Sequence, residues 1–280
     1  MRTQSHKDTQ SRDTEAGGAV ALEWTDHDVD GLLVREVRDP AVIEEQGRIV
    51  LVPGSLHGWW AFERWMPMFA ESGWTALAMS LPNHTGSRTL ADAEYLARTP
   101  EDYATDVLTV LDHAAPPAVL LGHSMGGLVA QLVAERHPLA ALVLVSSVGP
   151  GQLGPMRSTS FPTDRPVTIT REEAREQWFQ HISEADLDTV MARLSPESPT
   201  VVNDYSSGTI HIDTGSIHCP VLVVGPEKDH TPVHDTRSVA SLYGVTPVLV
   251  PDVGHDLMLE DAGLPTASTI THWLDGHARR

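Results

Sequence analysis

Short, continuous apolar runs recur along this chain, and amphipathic stretches separate them. Arg48–Val52, Trp74–Met79, Ala118–Leu121, Ala140–Ser147, Val221–Val224 and Thr246–Val250 are such runs. Strands covered on both faces read this way. Two short segments nearer the N-terminus, Ala19–Trp24 and Gly31–Arg38, are predicted as edge strands. Trp60, Phe62, Trp65, Met66 and Phe69 fall at helical spacing, so a helix is expected from Trp60 to Glu71. Thr99-Pro-Glu-Asp102 opens another, with a hydroxyl cap, a proline in the first turn and acids after it; this helix runs to about His113. Further helices are expected from Met125 to His137 and from Leu264 to Gly276. Strands alternating with helices from Arg48 to Ser147 imply right-handed crossovers and a parallel sheet.

The alternation stops between Gly149 and Asp213. Gly149–Pro155 is a glycine- and proline-rich linker. Thr170-Arg-Glu-Glu173 is a capping box for a helix to about His181. Ser183 starts a second helix to about Leu194, and a third, short one precedes Gly208. The expected organisation is therefore a leader at 1–18, an α/β core at 19–148 and 214–280, and a helical insertion at 149–213.

The sharpest punctuation is Gly122-His-Ser-Met-Gly126, between a predicted strand and a predicted helix. A serine at the apex of so tight a turn is held under backbone strain, and side chains two residues to either side would collide there. The amide of Met125 opens the helix, so it points where negative charge would develop beside the Ser124 hydroxyl.

Composition narrows the chemistry. The chain has 280 residues, enough for one large α/β domain with an insertion. Its net charge of -19 disfavours nucleic acid, and weakly disfavours anionic substrates and anionic membrane surfaces. With Cys219 the one cysteine, no intrachain disulfide can form; before Pro220 and an apolar run it reads as a small core residue. No run approaches membrane-spanning length, and the polar Met1–Gly18 lacks a signal core, so a soluble cytoplasmic protein is expected, without stable membrane insertion. Oligomeric state is not legible.

Strand, G-x-S-x-G turn and helix together resemble the nucleophile elbow of the α/β-hydrolase family. The resemblance covers essentially Ala19 to Gly276. It implies the α/β-hydrolase fold: a mostly parallel central sheet flanked by helices, with a small helical cap. It also implies a nucleophile, an acid and a histidine in that chain order, the last two on loops after the final two strands. Ser124 then is the nucleophile, Asp229 in Gly-x-x-x-Asp the orienting acid, and His255 in Gly-His the general base. The oxyanion donors would be the amides of Met125 and Ser55, with Leu56 the second candidate for the latter position. The family's His-Gly pair before that loop is Pro53-Gly54 here. Ser80–Ser87 is similar to the family's Asp-x-x-Gly-His-Gly-x-Ser turn, with Ser80 and Asn83 departing from it and His84 kept as a turn-stabilising residue. Relatives that hydrolyse epoxides or dehalogenate use an aspartate where Ser124 stands.

Rivals remain among the 15 histidines and many acids. His230 and His234 lie near Asp229 but not beyond the final strand. Asp235, Asp252 and Asp256 compete as the acid. His123 reads as packing beneath the elbow, whereas His57 reads equally as a substrate contact. Leu56, His57 and Trp59 are the expected pocket residues, with Trp60 packing under the following helix. His211, His218 and Asp213 lack the spacing of a ligand pair, so no metal and no cofactor is expected. The resulting expectation is an acyl-enzyme serine hydrolase for a small to medium apolar ester or lactone, a small-molecule partner. The alternative keeps the pocket in a lyase, cyclase, acyltransferase or small-molecule receptor.

Overall fold

The structure, a computed structural model, describes residues 21–115 and 117–278. The expected leader at 1–18, and residues 19 and 20 of the first expected strand, lie outside the described residues.

Eight strands form one sheet in the order β1-β2-β4-β3-β5-β6-β7-β8. They are β1 (Glu23–Val29), β2 (Leu32–Arg38), β3 (Gly47–Val52), β4 (Trp74–Met79), β5 (Val119–His123), β6 (Ala141–Val145), β7 (Val221–Pro226) and β8 (Val248–Val250). β2 pairs antiparallel with both β1 and β4, and every pairing from β4 through β8 is parallel. The period of two explains the continuous apolar runs. Ile49, Leu51, Val119, Leu121, Val143 and Val145 enter the core on one face, with Trp60, Trp65 and Phe69. Val50, Val52, Leu120, Leu142 and Leu144 enter the core on the other, with Tyr103, Val107 and Leu128.

The first strand is displaced from its expected position. It runs from Glu23 to Val29 through Asp26, His27 and Asp28, a sequence too polar to read as a strand. Cross-strand pairs sustain it: Arg35 forks onto Asp26, and His27 lies 3.2 Å from Glu36. Charges of this kind suit the edge of a sheet.

Helix α1 is shorter than its apolar spacing implies. A 3-10 turn covers Trp59–Phe62, and α1 itself is only Met66–Glu71, with Pro67 in its first turn. Proline has no N–H to continue a helix from the preceding turn. The short α2 (Asp92–Leu96) has no counterpart in the sequence reading. Helix α3 (Pro100–Ala114) starts from the Thr99–Asp102 capping box. The helix after the elbow, α4 (Met125–Ala134), stops short of His137, whose following Pro138 disfavours helical geometry.

Between β6 and β7 lie α5 (Arg171–Trp178), α6 (Glu184–Arg193) and α7 (Pro199–Ser207). The Thr170 capping box starts α5, Ser183 caps α6, and Gly208 in the left-handed conformation ends α7. Helix α5 ends before its expected limit at His181 because the loop after β8 docks there. The amide of Asp256 donates to the Trp178 carbonyl, and the Glu260 carboxylate accepts from the amides of Gln180, His181 and Gly254. Helices α8 (Thr236–Leu242) and α9 (Thr266–His277) complete the chain. Among the described residues, no helix is long and apolar enough to cross a membrane.

Candidate active site

The elbow follows β5 directly. Ser124 sits at φ +52° and ψ -121°, a left-handed backbone conformation that serine avoids. Such strain costs on the order of 1–3 kcal/mol and persists only where the surroundings impose it. Here the Ser124 amide donates to the Val145 carbonyl, while the Ser124 carbonyl accepts from the amides of Gly127 and Val148. The glycines are required by contact. A Cβ on Gly122 would lie 2.3 Å from the Gly126 carbonyl oxygen, and one on Gly126 would lie 2.4 Å from that of Pro53. The second contact brings helix α4 against the loop after β3. Gly54 in that loop is also confined, though less tightly, since a Cβ there would meet His123 Nδ1 at 2.8 Å and Ser124 Cβ at 3.0 Å.

Asp229 follows β7 and His255 follows β8, as the loop order requires. His255 Nδ1 and Asp229 Oδ2 are 2.7 Å apart, and Asp229 Oδ1 accepts the amide of Thr231. The His255 side chain is only 2% exposed. Burial disfavours its charged form, but the Asp229 carboxylate outweighs burial, with Asp256 adding to it. The imidazole is therefore held above its ordinary value. Ser124 and His255 line one cavity, of about 160 Å³. Among the described residues the Ser124 hydroxyl makes no hydrogen bond, and catalytic contacts of this type commonly tighten only once substrate is bound.

The rivals are engaged elsewhere. Asp235 caps α8. Asp252 occupies a left-handed turn. His234 Nε2 lies 3.0 Å from the Gly154 carbonyl oxygen. Asp213 holds the amide of Gly215 and the hydroxyl of Ser216 in a 3-10 turn. Burial pushes the Cys219 thiol up to about 11, which leaves it un-ionised at neutral pH.

Asp256 is completely buried and lines the cavity between two histidines. Its Oδ2 is 3.1 Å from His57 Nε2 and its Oδ1 is 3.4 Å from His123 Nε2, close contacts that are not aligned as hydrogen bonds. Burial alone would raise this carboxyl; His57 first, then His123 and His255, outweigh it and hold Asp256 below the usual range. Burial pushes His123 down to about 3, so it packs as a neutral ring with Nε2 at 3.1 Å from the His255 carbonyl oxygen. His123, His255 and Asp256 are the one group of metal-capable side chains gathered among the described residues, with ligand atoms within 4.8 Å of one another. Two of them already face Asp229 and His57.

Of the expected pocket residues, Leu56 and His57 line the cavity and Trp59 does not. Trp59 turns away to pack under Arg35, whose guanidinium lies 4.1 Å from its ring. Trp60 is buried, as its position beside the helix implied. The aromatic wall is instead Trp178 at the end of α5, its ring 5.1 Å from that of His57. No spacing rule in the sequence links Trp178 to this cavity. For the second oxyanion donor the structure separates the two candidates. The Leu56 amide donates to Glu197 Oε2 at 3.2 Å. Among the described residues the amides of Ser55 and Met125 have no protein acceptor. Glu197 and Tyr205 are further neighbours that the sequence reading missed; the Ser55 hydroxyl and the Tyr205 hydroxyl are 3.4 Å apart.

The sequence profile of the alpha/beta hydrolase family matches residues 49–268, and the chain belongs to that family. It is 27% identical to Methylesterase 3 of Arabidopsis thaliana over 163 residues, 56% of this chain and 55% of the relative, so the match spans about half the length of that protein. Among solved structures, a thermophilic esterase from Thermogutta terrifontis superposes with a TM-score of 0.67 at 17% identity, covering 92% of this chain and 95% of that one. An N-acyl homoserine lactonase complexed with N-hexanoyl homoserine gives 0.67 at 18% identity, covering 91% and 97%. At such identities the superpositions speak for the fold.

Proposed function

We propose that this protein is a serine hydrolase that cleaves a small to medium, neutral, apolar carboxylic ester or lactone through an acyl-enzyme. The observation that carries this reading is the 2.7 Å contact between His255 and Asp229 on a cavity that also receives Ser124 from a strained elbow. In the first half-reaction His255 takes the Ser124 proton as Oγ bonds to the carbonyl carbon. The amides of Met125 and Ser55 stabilise the oxyanion. As the intermediate collapses, the bond to the leaving oxygen breaks, and His255 returns the proton to that oxygen. Water, activated by the same ring, then releases the acid and restores Ser124.

Phe161, Val167, Ile169, Trp178 and Val202 give the cavity an apolar wall contributed by the segment between β6 and β7. That supports a cap role for this segment and a preference for uncharged acyl groups. The names of the relatives, a methylesterase, an esterase and a lactonase, agree with ester or lactone cleavage. The expected outcome with p-nitrophenyl acetate, butyrate and octanoate is saturable turnover by the purified protein. Saturable binding of these esters with negligible turnover would favour a receptor or non-hydrolytic enzyme instead.

A further inference from the structure

Glu197 is completely buried, and the chemistry proposed above does not use it. It lies between α6 and α7, in a segment bridged to Val167, yet its carboxylate reaches the loop after β3. Oε2 accepts the Leu56 amide at 3.2 Å and is 3.4 Å from His84 Nε2. Oε1 accepts the Tyr103 hydroxyl at 2.6 Å and the Ser198 amide at 2.9 Å. Two residues earlier, the Ser195 amide donates to the Leu56 carbonyl at 2.9 Å. One stretch of chain therefore holds both the N–H and the C=O of Leu56.

Leu56 has need of this. It sits at φ +69°, which a leucine adopts only under constraint. The residue before it is fixed in turn. The Ser55 carbonyl is 2.8 Å from His57 Nδ1, and the Gly54 carbonyl accepts the His57 amide at 3.2 Å. In a trans peptide the N–H points opposite the preceding C=O. Committing the Gly54 carbonyl to His57 therefore turns the Ser55 amide the other way. The charges support the same arrangement. Burial alone would raise the Glu197 carboxyl, but His84 first, then Tyr103 and the Ser198 amide, outweigh it and keep it below the usual range.

We propose that Glu197 is a positioning residue: it holds Leu56 in its left-handed conformation and thereby fixes the Ser55 amide as an oxyanion donor. This rests on the serine-hydrolase reading. It separates Glu197 from a purely structural anchor, because a misplaced donor slows the chemical step while leaving substrate binding intact.

The test uses the full chain as wild type, Glu197→Gln and Tyr103→Phe. It measures kcat and KM on p-nitrophenyl butyrate, the rate of fluorophosphonate labelling, and Tm. In Glu197→Gln one amide hydrogen pair faces donors that met an oxygen before. Its kcat and labelling rate are expected to fall together by about 10- to 100-fold, with KM within about twofold. Tyr103→Phe keeps the carboxylate and removes its 2.6 Å donor, so a smaller fall of the same kind is expected. Folded Glu197→Gln with a lowered Tm but wild-type kcat and labelling rate would overturn the proposal. If Glu197→Gln does not fold, wild-type kcat in Tyr103→Phe overturns it. A wild type that neither turns over nor labels would instead remove the serine-hydrolase reading itself.

Discussion

Ser124→Ala is expected to eliminate ester hydrolysis, lowering kcat by at least about 10⁴-fold, while the protein stays folded. The loss is large because the elbow places Ser124 on the cavity with His255, whereas the Ser55 and Tyr205 hydroxyls there face each other and the Thr231 hydroxyl donates to the Gln177 carbonyl. The neighbouring Met125 side chain is apolar, and the un-ionised Cys219 lies outside the cavity. The fold should tolerate the change, because the serine hydroxyl makes no hydrogen bond among the described residues. Alanine also retains the Cβ, so the strain at φ +52° is the same in both proteins. The stability change should stay within about 0.5 kcal/mol. Turnover of p-nitrophenyl butyrate, measured beside a thermal melt, checks both halves. Wild-type turnover by the folded variant would refute the role of Ser124.

Asp229→Asn is the second large effect, with kcat expected to fall by about 10⁴-fold. The amide no longer stabilises the imidazolium, nor does it hold Nδ1 as the donor that leaves Nε2 free as the base. The pH profile supplies an independent sign. His255 must be neutral to act as base, and its folded-state value lies above the ordinary 6.5. Wild-type kcat/KM should therefore decline as pH falls through a midpoint above 6.5. Burial opposes the charge on this ring, and Asp229 is the largest influence favouring it. Removing that carboxylate should move the acid limb to lower pH. A pH–rate series on both proteins reads this directly, and an unmoved limb would contradict the pairing.

The parts of this molecule that were legible in the sequence are those governed by local rules. Gly122 and Gly126 flank Ser124 because the turn leaves no room for a Cβ, and that demand shows in the sequence itself. The capping boxes at Thr99 and Thr170 and the doubly covered strands are likewise local patterns. The parts that were not legible depend on contacts distant in sequence. Trp178 replaces Trp59 as the aromatic wall because α5 ends where the His255 loop docks on its last carbonyl. Glu197, in a Ser-Pro-Glu-Ser-Pro stretch that reads as punctuation, becomes a buried anion only because His84, Tyr103 and Leu56 converge on it. Asp256 stood in the sequence as a competitor for Asp229. The structure turns its carboxylate toward His57 and His123, and gives His255 Nδ1 to Asp229.

The central claim is that Ser124 is made nucleophilic by His255. It is tested most directly by reacting the folded protein with a fluorophosphonate and mapping the adduct by peptide mass spectrometry. The account predicts a single phosphonylated peptide carrying the adduct on Ser124, formed more slowly as pH falls through the His255 midpoint. An adduct on another residue, or none on folded protein, would contradict it.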